Sequence, residues 1–217
     1  MYQILTIILA VTAGAGLGWW QRRRLETLRY RAGDEAAQAE PGPRWWVVWA
    51  GMLAVGGLAA AAVFSADPAS RLILAPLAVS GPWLAAVDFD VMRLPNRVLA
   101  VTALLMAGAI LTVALTGAGP SVAIQALIGG AVAGGTFAVI HFASSGEMGF
   151  GDVKLAALIG AGLGPLGIGH VCLALLAGSA AALIWIKGTT HRGSHLPYGP
   201  WLLAGALIAA LVPSVGA

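Results

Sequence analysis

Ile4-Leu5-Thr6-Ile7-Ile8-Leu9-Ala10-Val11-Thr12-Ala13-Gly14-Ala15-Gly16-Leu17-Gly18-Trp19-Trp20 runs without a charge and is followed by Gln21-Arg22-Arg23-Arg24. A helix of about 20 apolar residues covers the hydrocarbon core of a bilayer, so this run predicts a transmembrane helix. A cleavable signal peptide places its positive charge before the apolar stretch. Here the arginines come after it. The order therefore predicts a retained first helix with its N-terminus outside and Arg22, Arg23 and Arg24 on the cytoplasmic side.

The same reading extends along the chain. Apolar stretches predict helices near 3–20, 45–65, 70–87, 97–116, 121–143, 153–165, 168–187 and 198–214. The expected fold is an all-α, polytopic membrane bundle of about eight transmembrane helices. Of the 217 residues, 59% are hydrophobic and 10% charged, against about 25% charged in soluble domains. Residues 1–217 thus read as one membrane-embedded domain whose first partner is the lipid bilayer. The one polar stretch, 21–44, reads as a cytoplasmic linker loop with some amphipathic helix. No basic stripe with interleaved aromatics lies on a soluble face, so nucleic acid is not an expected partner. Cys172 is the single cysteine; it excludes an internal disulfide and a cysteine-cluster zinc site, and it reads as core packing.

Charge placement tests the helix count. With the N-terminus outside, the inner loops fall near 21–44, 88–97, 144–154 and 187–197. Of the twelve Lys and Arg residues, Arg22, Arg23, Arg24, Arg29, Arg31, Arg44, Arg93, Arg97, Lys154, Lys187 and Arg192 then lie inside, and only Arg71 lies outside. That asymmetry is what the positive-inside rule demands. Trp19, Trp20, Trp45, Trp46 and Trp49 fall near inner boundaries and read as interfacial anchors. Gly14 and Gly18, Gly130 and Gly134, and Gly160 and Gly164 have the spacing that lets helix backbones approach closely.

The same orientation places two acids on one face. Asp88 ends an apolar run in Val87-Asp88-Phe89-Asp90-Val91-Met92-Arg93-Leu94-Pro95-Asn96. Asp152 opens another in Gly149-Phe150-Gly151-Asp152-Val153-Lys154-Leu155. Carboxylates at a membrane boundary are costly and so are candidates for function. Two that share a site divide their roles: an anion takes a proton from water, and a neutral acid supports the oxyanion. Asp88 follows a helix and Asp152 begins one, so the helix dipoles give the proton to Asp88 and the base role to Asp152. Such chemistry calls for neither a metal nor a cofactor. Gly149 and Gly151 would allow unusual backbone angles and a close approach to an extended substrate.

Plainer readings exist for each residue. Asp152 could be a helix N-cap, and Asp88 could pair with Arg93 or Arg97. Asp90 reads as a solvated neighbour. Glu147 and Lys154 read as headgroup-facing charges, with Lys154 the better candidate for support. His141 and His170 read as packing residues, and His191 and His195 lack the acidic partner that a metal site would want. Paired membrane acids also build proton relays, so a small proton- or ion-coupled transporter is the competing function.

These segments together resemble the prepilin peptidase family, the membrane aspartyl proteases of type IV pilus and type II secretion systems. The pattern is an aspartate followed by Leu-Pro-Asn, here Asp88 with Leu94-Pro95-Asn96, and then a distant Gly-x-Gly-Asp-Val-Lys-Leu, here Gly149 to Leu155. A third element, Leu196-Pro197-Tyr198-Gly199-Pro200, precedes the last helix. The resemblance covers about residues 70–215. It implies Asp88 and Asp152 as the catalytic pair, with Gly149, Gly151, Lys154, Pro95 and Asn96 in support. It implies a prepilin or pseudopilin precursor as substrate, cut at its leader on the cytoplasmic face of the inner membrane. Many relatives carry paired Cys-x-x-Cys motifs in a cytoplasmic insert linked to N-methylation. The 21–44 stretch has no cysteine, so the likeness is to peptidase-only members and methyltransferase activity is not expected. A non-catalytic assembly protein for pili is the other reading the resemblance allows.

Overall fold

All the regular structure in the computed structural model is helical among the residues it describes, which are 1–144, 148–188 and 197–213. Glu147, His191, Arg192, His195 and Leu196, named above, lie outside the described residues. The elements are α1 (Tyr2–Glu26), α2 (Trp46–Val63), α3 (Pro68–Leu72), α4 (Ala75–Val91), α5 (Asn96–Val113), α6 (Ser121–Ala143), α7 (Phe150–Leu163), α8 (Ile168–Gly188) and α9 (Gly199–Leu211). Among the described residues, six spans are long and apolar enough to cross a membrane: α1, α2, α3 with α4, α5 with its following turn, α6 and α8. The protein is a multi-pass helical membrane bundle.

The two remaining helices differ from the eight-span expectation. α7 has 14 residues and α9 has 13, about 20 Å each at 1.5 Å per residue. Neither reaches across a core of about 30 Å. Both instead lie largely inside the protein. Leu84 of α4, Leu155, Ile159 and Leu163 of α7 and Leu202 of α9 form the centre of the core. A helix walled by other helices has no need to meet both headgroup layers.

Glycine decides which helices pair. A Cβ on Gly14 of α1 would sit 2.4 Å from the carbonyl oxygen of Gly51 in α2. A Cβ on Gly160 of α7 would sit 2.2 Å from Gly129 O in α6, and one on Gly205 of α9 would sit 2.2 Å from Ala174 O in α8. These distances leave room for hydrogen only. Three hairpins therefore pair backbone to backbone, α1–α2, α6–α7 and α8–α9, and α9 also packs against α2, α4 and α7.

Several boundaries move from their expected places. α1 continues through Glu26, and α4 continues three residues past Asp88 to Val91. Asp67 caps α3 by accepting the Ser70 N–H at 3.1 Å, with Pro68 in the first turn. Arg71, the one cation expected on the outer side, is 2% exposed. It donates to the carbonyl oxygens of Ala210 and Val212, at the end of α9. A cation at a helix C-terminus meets unpaired carbonyls and the negative end of the dipole, which explains this one exception to the charge asymmetry. Cys172, expected in the core, is exposed on α8. The tryptophan belt is exposed as expected, and the arginines stack on it: Arg22 lies 3.6 Å above the Trp45 ring, and Arg23 lies 4.5 Å above Trp19.

Candidate active site

Asp88 occupies the last turn of α4 and Asp152 the first turn of α7. Their side chains belong to residues 4% and 7% exposed, so both carboxyls sit inside the protein rather than on its rim. Three chain segments bring them together.

The first is the turn after α4. Met92 closes the helix by donating its N–H to Asp88 O at 2.9 Å, with left-handed backbone angles of φ 49 and ψ 39. That reversal sends Arg93 outward and Leu94 inward. Pro95 then supplies the extended residue from which α5 starts at Asn96. The second segment is the entry to α7. Gly149 is the N-cap, and its carbonyl accepts the Asp152 N–H at 3.0 Å. Asp152 is thus the third helical residue and not the cap. The third segment is the start of α9, where the Gly199 N–H donates to Asp88 Oδ2 at 2.9 Å.

Leu94 joins the three. A Cβ on Gly151 would meet Leu94 Cβ at 3.0 Å, and one on Gly199 would meet Asp88 Oδ2 at 2.9 Å and Leu94 Cδ2 at 3.3 Å. Gly151 and Gly199 are therefore small because Leu94 and Asp88 lie against them. Gly149 is different: a Cβ there would be 3.4 Å from Asp152 Oδ2, an ordinary contact. Its angles, φ −65 and ψ 138, are open to any residue. Gly151 is helical. Neither glycine uses the unusual backbone angles expected of it, and Gly151 serves close packing against Leu94.

The supporting residues separate in the same way. Lys154 Nζ donates to Asn96 Oδ1 at 2.8 Å, tying the first turn of α7 to the first residue of α5. Arg93 does not serve Asp88; it pairs with Glu35 at 2.8 Å. Asp90 is not a solvated neighbour, because its side chain is 7% exposed and lies 2.8 Å from Arg31. His141 does more than pack. Its Nδ1 lies 2.6 Å from the Met148 carbonyl, so that nitrogen carries the proton and donates. The ring also meets Phe150 edge-on at 5.6 Å, fixing the entry to α7 from both ends.

Sequence reasoning passed over Leu94, His141 and Gly199 as site residues. The first stood in a quoted motif without a role of its own, and its neighbours Gly151 and Gly199 come from distant segments. Gly199 stood in a quoted motif as well, and only its spatial neighbour Asp88 gives it a role.

The dyad has one further asymmetry. Asp88 Oδ2 is hydrogen-bonded, whereas Asp152 Oδ1 is buried and has no hydrogen-bond partner among the described residues. A buried carboxylate oxygen without a donor is costly in a structural role.

Residues 72–186 match the type IV leader peptidase family. No curated protein and no solved structure matches the chain. The matched span includes Asp88, Leu94, Gly151, Asp152 and Lys154, and leaves Gly199 and the segment before α2 outside it.

Proposed function

The chain belongs to the type IV leader peptidase family, and from that premise we propose that it is an aspartic endopeptidase. It removes the leader from prepilin-like precursors at the cytoplasmic face of the inner membrane, with Asp88 and Asp152 as its catalytic pair. The observation that carries this reading is Leu94, which lies against both Gly151, beside Asp152, and Gly199, whose N–H binds Asp88, and so links two nearly buried acids from the end of α4 and the start of α7.

The helix ends, rather than the hydrogen bonds, carry the division of labour. A backbone N–H such as that of Gly199 by itself favours the anionic form of the carboxyl it meets. A neutral Asp88 keeps a carbonyl oxygen, Oδ2, to accept the Gly199 N–H, which leaves Oδ1 to carry the proton. Asp152 Oδ1 takes a proton from water as the water oxygen attacks the scissile carbonyl carbon. The Asp88 proton meanwhile hydrogen-bonds the developing oxyanion. Collapse breaks the C–N bond, and Asp152 returns its proton to the leaving nitrogen. The helix-end positions agree with these roles. The steps require no metal and no cofactor.

Orientation follows from charge. Arg31, Arg44 and Arg93 all contact or flank the end of α4 that bears Asp88. The positive-inside rule then favours a cytoplasmic site. The competing transporter reading wants acids at mid-membrane depth. Asp88 and Asp152 instead lie within a turn of their helix ends.

Co-expression with a precursor bearing a basic leader, a glycine before the cut and an apolar helix after it tests the proposal. The wild-type chain should shorten the precursor on a gel, and Asp88→Ala and Asp152→Ala should each leave it full length. Cleavage at the wild-type rate by either variant would rule the dyad out.

A further inference from the structure

The turn that presents Asp88 is held by a part of the chain outside the family-matching span. Asp90, two residues after Asp88, receives a forked contact from Arg31: Nε to Oδ2 at 2.9 Å and Nη2 to Oδ1 at 2.8 Å. The Tyr30 hydroxyl donates to the same Oδ2, and Arg44 Nη2 lies 3.2 Å from it and 2.7 Å from the Tyr30 oxygen. On the far side of Met92, Arg93 forks onto Glu35 at 2.9 and 2.8 Å and also donates to Tyr30 O at 3.2 Å. Arg31 reaches back to the carbonyls of Gln38 and Ala39, which folds the 30–44 stretch into a compact strap. The expected linker loop is thus bonded to both residues that bracket the turn.

That bracketing matters because Met92 is left-handed without being glycine. An L-residue takes that conformation only when its surroundings impose it. The Met92 side chain is itself exposed, so packing of that side chain does not impose it. The anchors on either side do. Arg31, Arg44 and Asp90 are buried, and buried ion pairs tend to contribute little net stability while holding one geometry. A forked Arg–carboxylate pair adds directional precision.

We propose that Tyr30, Arg31 and Arg44, acting through Asp90, are positioning residues that hold the α4 turn so that Asp88 faces Asp152. The strap sets the geometry in which Asp88 is presented. This rests on the peptidase reading for its activity arm, while the structural arm stands apart from it.

The test uses the full chain in detergent micelles and the reporter precursor described above. Arg31→Gln should raise amide hydrogen exchange in residues 88–94 at least tenfold and leave the α6–α7 hairpin as in the wild type. It should lower kcat at least tenfold with KM within twofold, and Arg31→Lys should recover part of the loss. Tyr30→Phe, which removes one hydroxyl, should move both readouts the same way by less, and it serves if Arg31→Gln fails to fold. Unchanged exchange at 88–94 in a folded variant overturns the proposal, and so does raised exchange with kcat intact. A wild-type chain that cuts no precursor sinks the peptidase reading instead, and exchange still decides whether the strap holds the turn.

Discussion

The two halves of the dyad are supported by opposite means. Asp152 rides on α7, which is pressed against α6 along Gly129, Gly160 and Gly164 with backbone on backbone. Asp88 rides on a helix end held by Arg31, Arg44, Tyr30 and the Gly199 N–H. The first support is dispersion and close packing, insensitive to pH or salt. The second is hydrogen bonds and charge, which can be substituted one group at a time without emptying a core. One half of the site is rigid because nothing else fits; the other is rigid because it is tied.

Substitutions should expose that difference in order of severity. Gly160→Ala should do the greatest damage, because the new Cβ would lie 2.2 Å from Gly129 O. Overpacking at such a seam costs about 3 kcal/mol, so the thermal midpoint in detergent should fall sharply. Arg31→Gln should lower that midpoint less, because Arg44 and Tyr30 still face the Asp90 carboxylate once Arg31 is gone. Equal losses for the two would mean that the seam and the strap are not different kinds of support.

At the site itself, alanine at the three glycines should separate activity from folding. Gly199→Ala displaces Asp88 and should cost about a hundredfold in cleavage, the scale of a misplaced reacting group. Gly151→Ala presses on Leu94, which can give by a few tenths of an ångström, so its loss should be smaller. Gly149→Ala should cleave at nearly the wild-type rate, because its Cβ has room and its angles suit alanine. A large loss at Gly149 with none at Gly199 would contradict the packing described.

The smallest effect belongs to the outer pin of the strap. Hydrogen bonding to Arg93 holds the Glu35 carboxyl below the usual glutamate range. A folded value below the unfolded one stabilises at pH above the ordinary glutamate titration and is lost as pH falls through the folded value. The thermal-midpoint difference between wild type and Glu35→Gln should therefore be greatest near neutrality and vanish in acid. It should be modest throughout, because the pair is partly exposed and screened by solvent. A difference that grows on acidification would reverse the sign.

The tertiary arrangement also revised single residues whose local sequence looked plain. Arg71 read only as a cation on the outer side and is a buried cap on α9. Asp90 read as solvated and is the anchor of the strap. In each case the partner lies roughly 50 residues or more away in the chain, and local pattern carries no information about it. The glycine pairs fared better. Gly14 and Gly18, and Gly160 and Gly164, all lie in seams, because small-residue spacing is a local property of one helix face.

What the amino-acid order determined by itself was the solvent, the helices and the family. Apolar runs near bilayer length, arginines after the first of them and three ordered motifs are all readable along the chain, because hydrophobic transfer and helix geometry act within a segment. What only the tertiary structure decided was which groups meet. Leu94 between Gly151 and Gly199, the Gly199 N–H on Asp88, and the strap on Asp90 all depend on helix pairing. That pairing is settled by shape complementarity between distant segments, which no local pattern records.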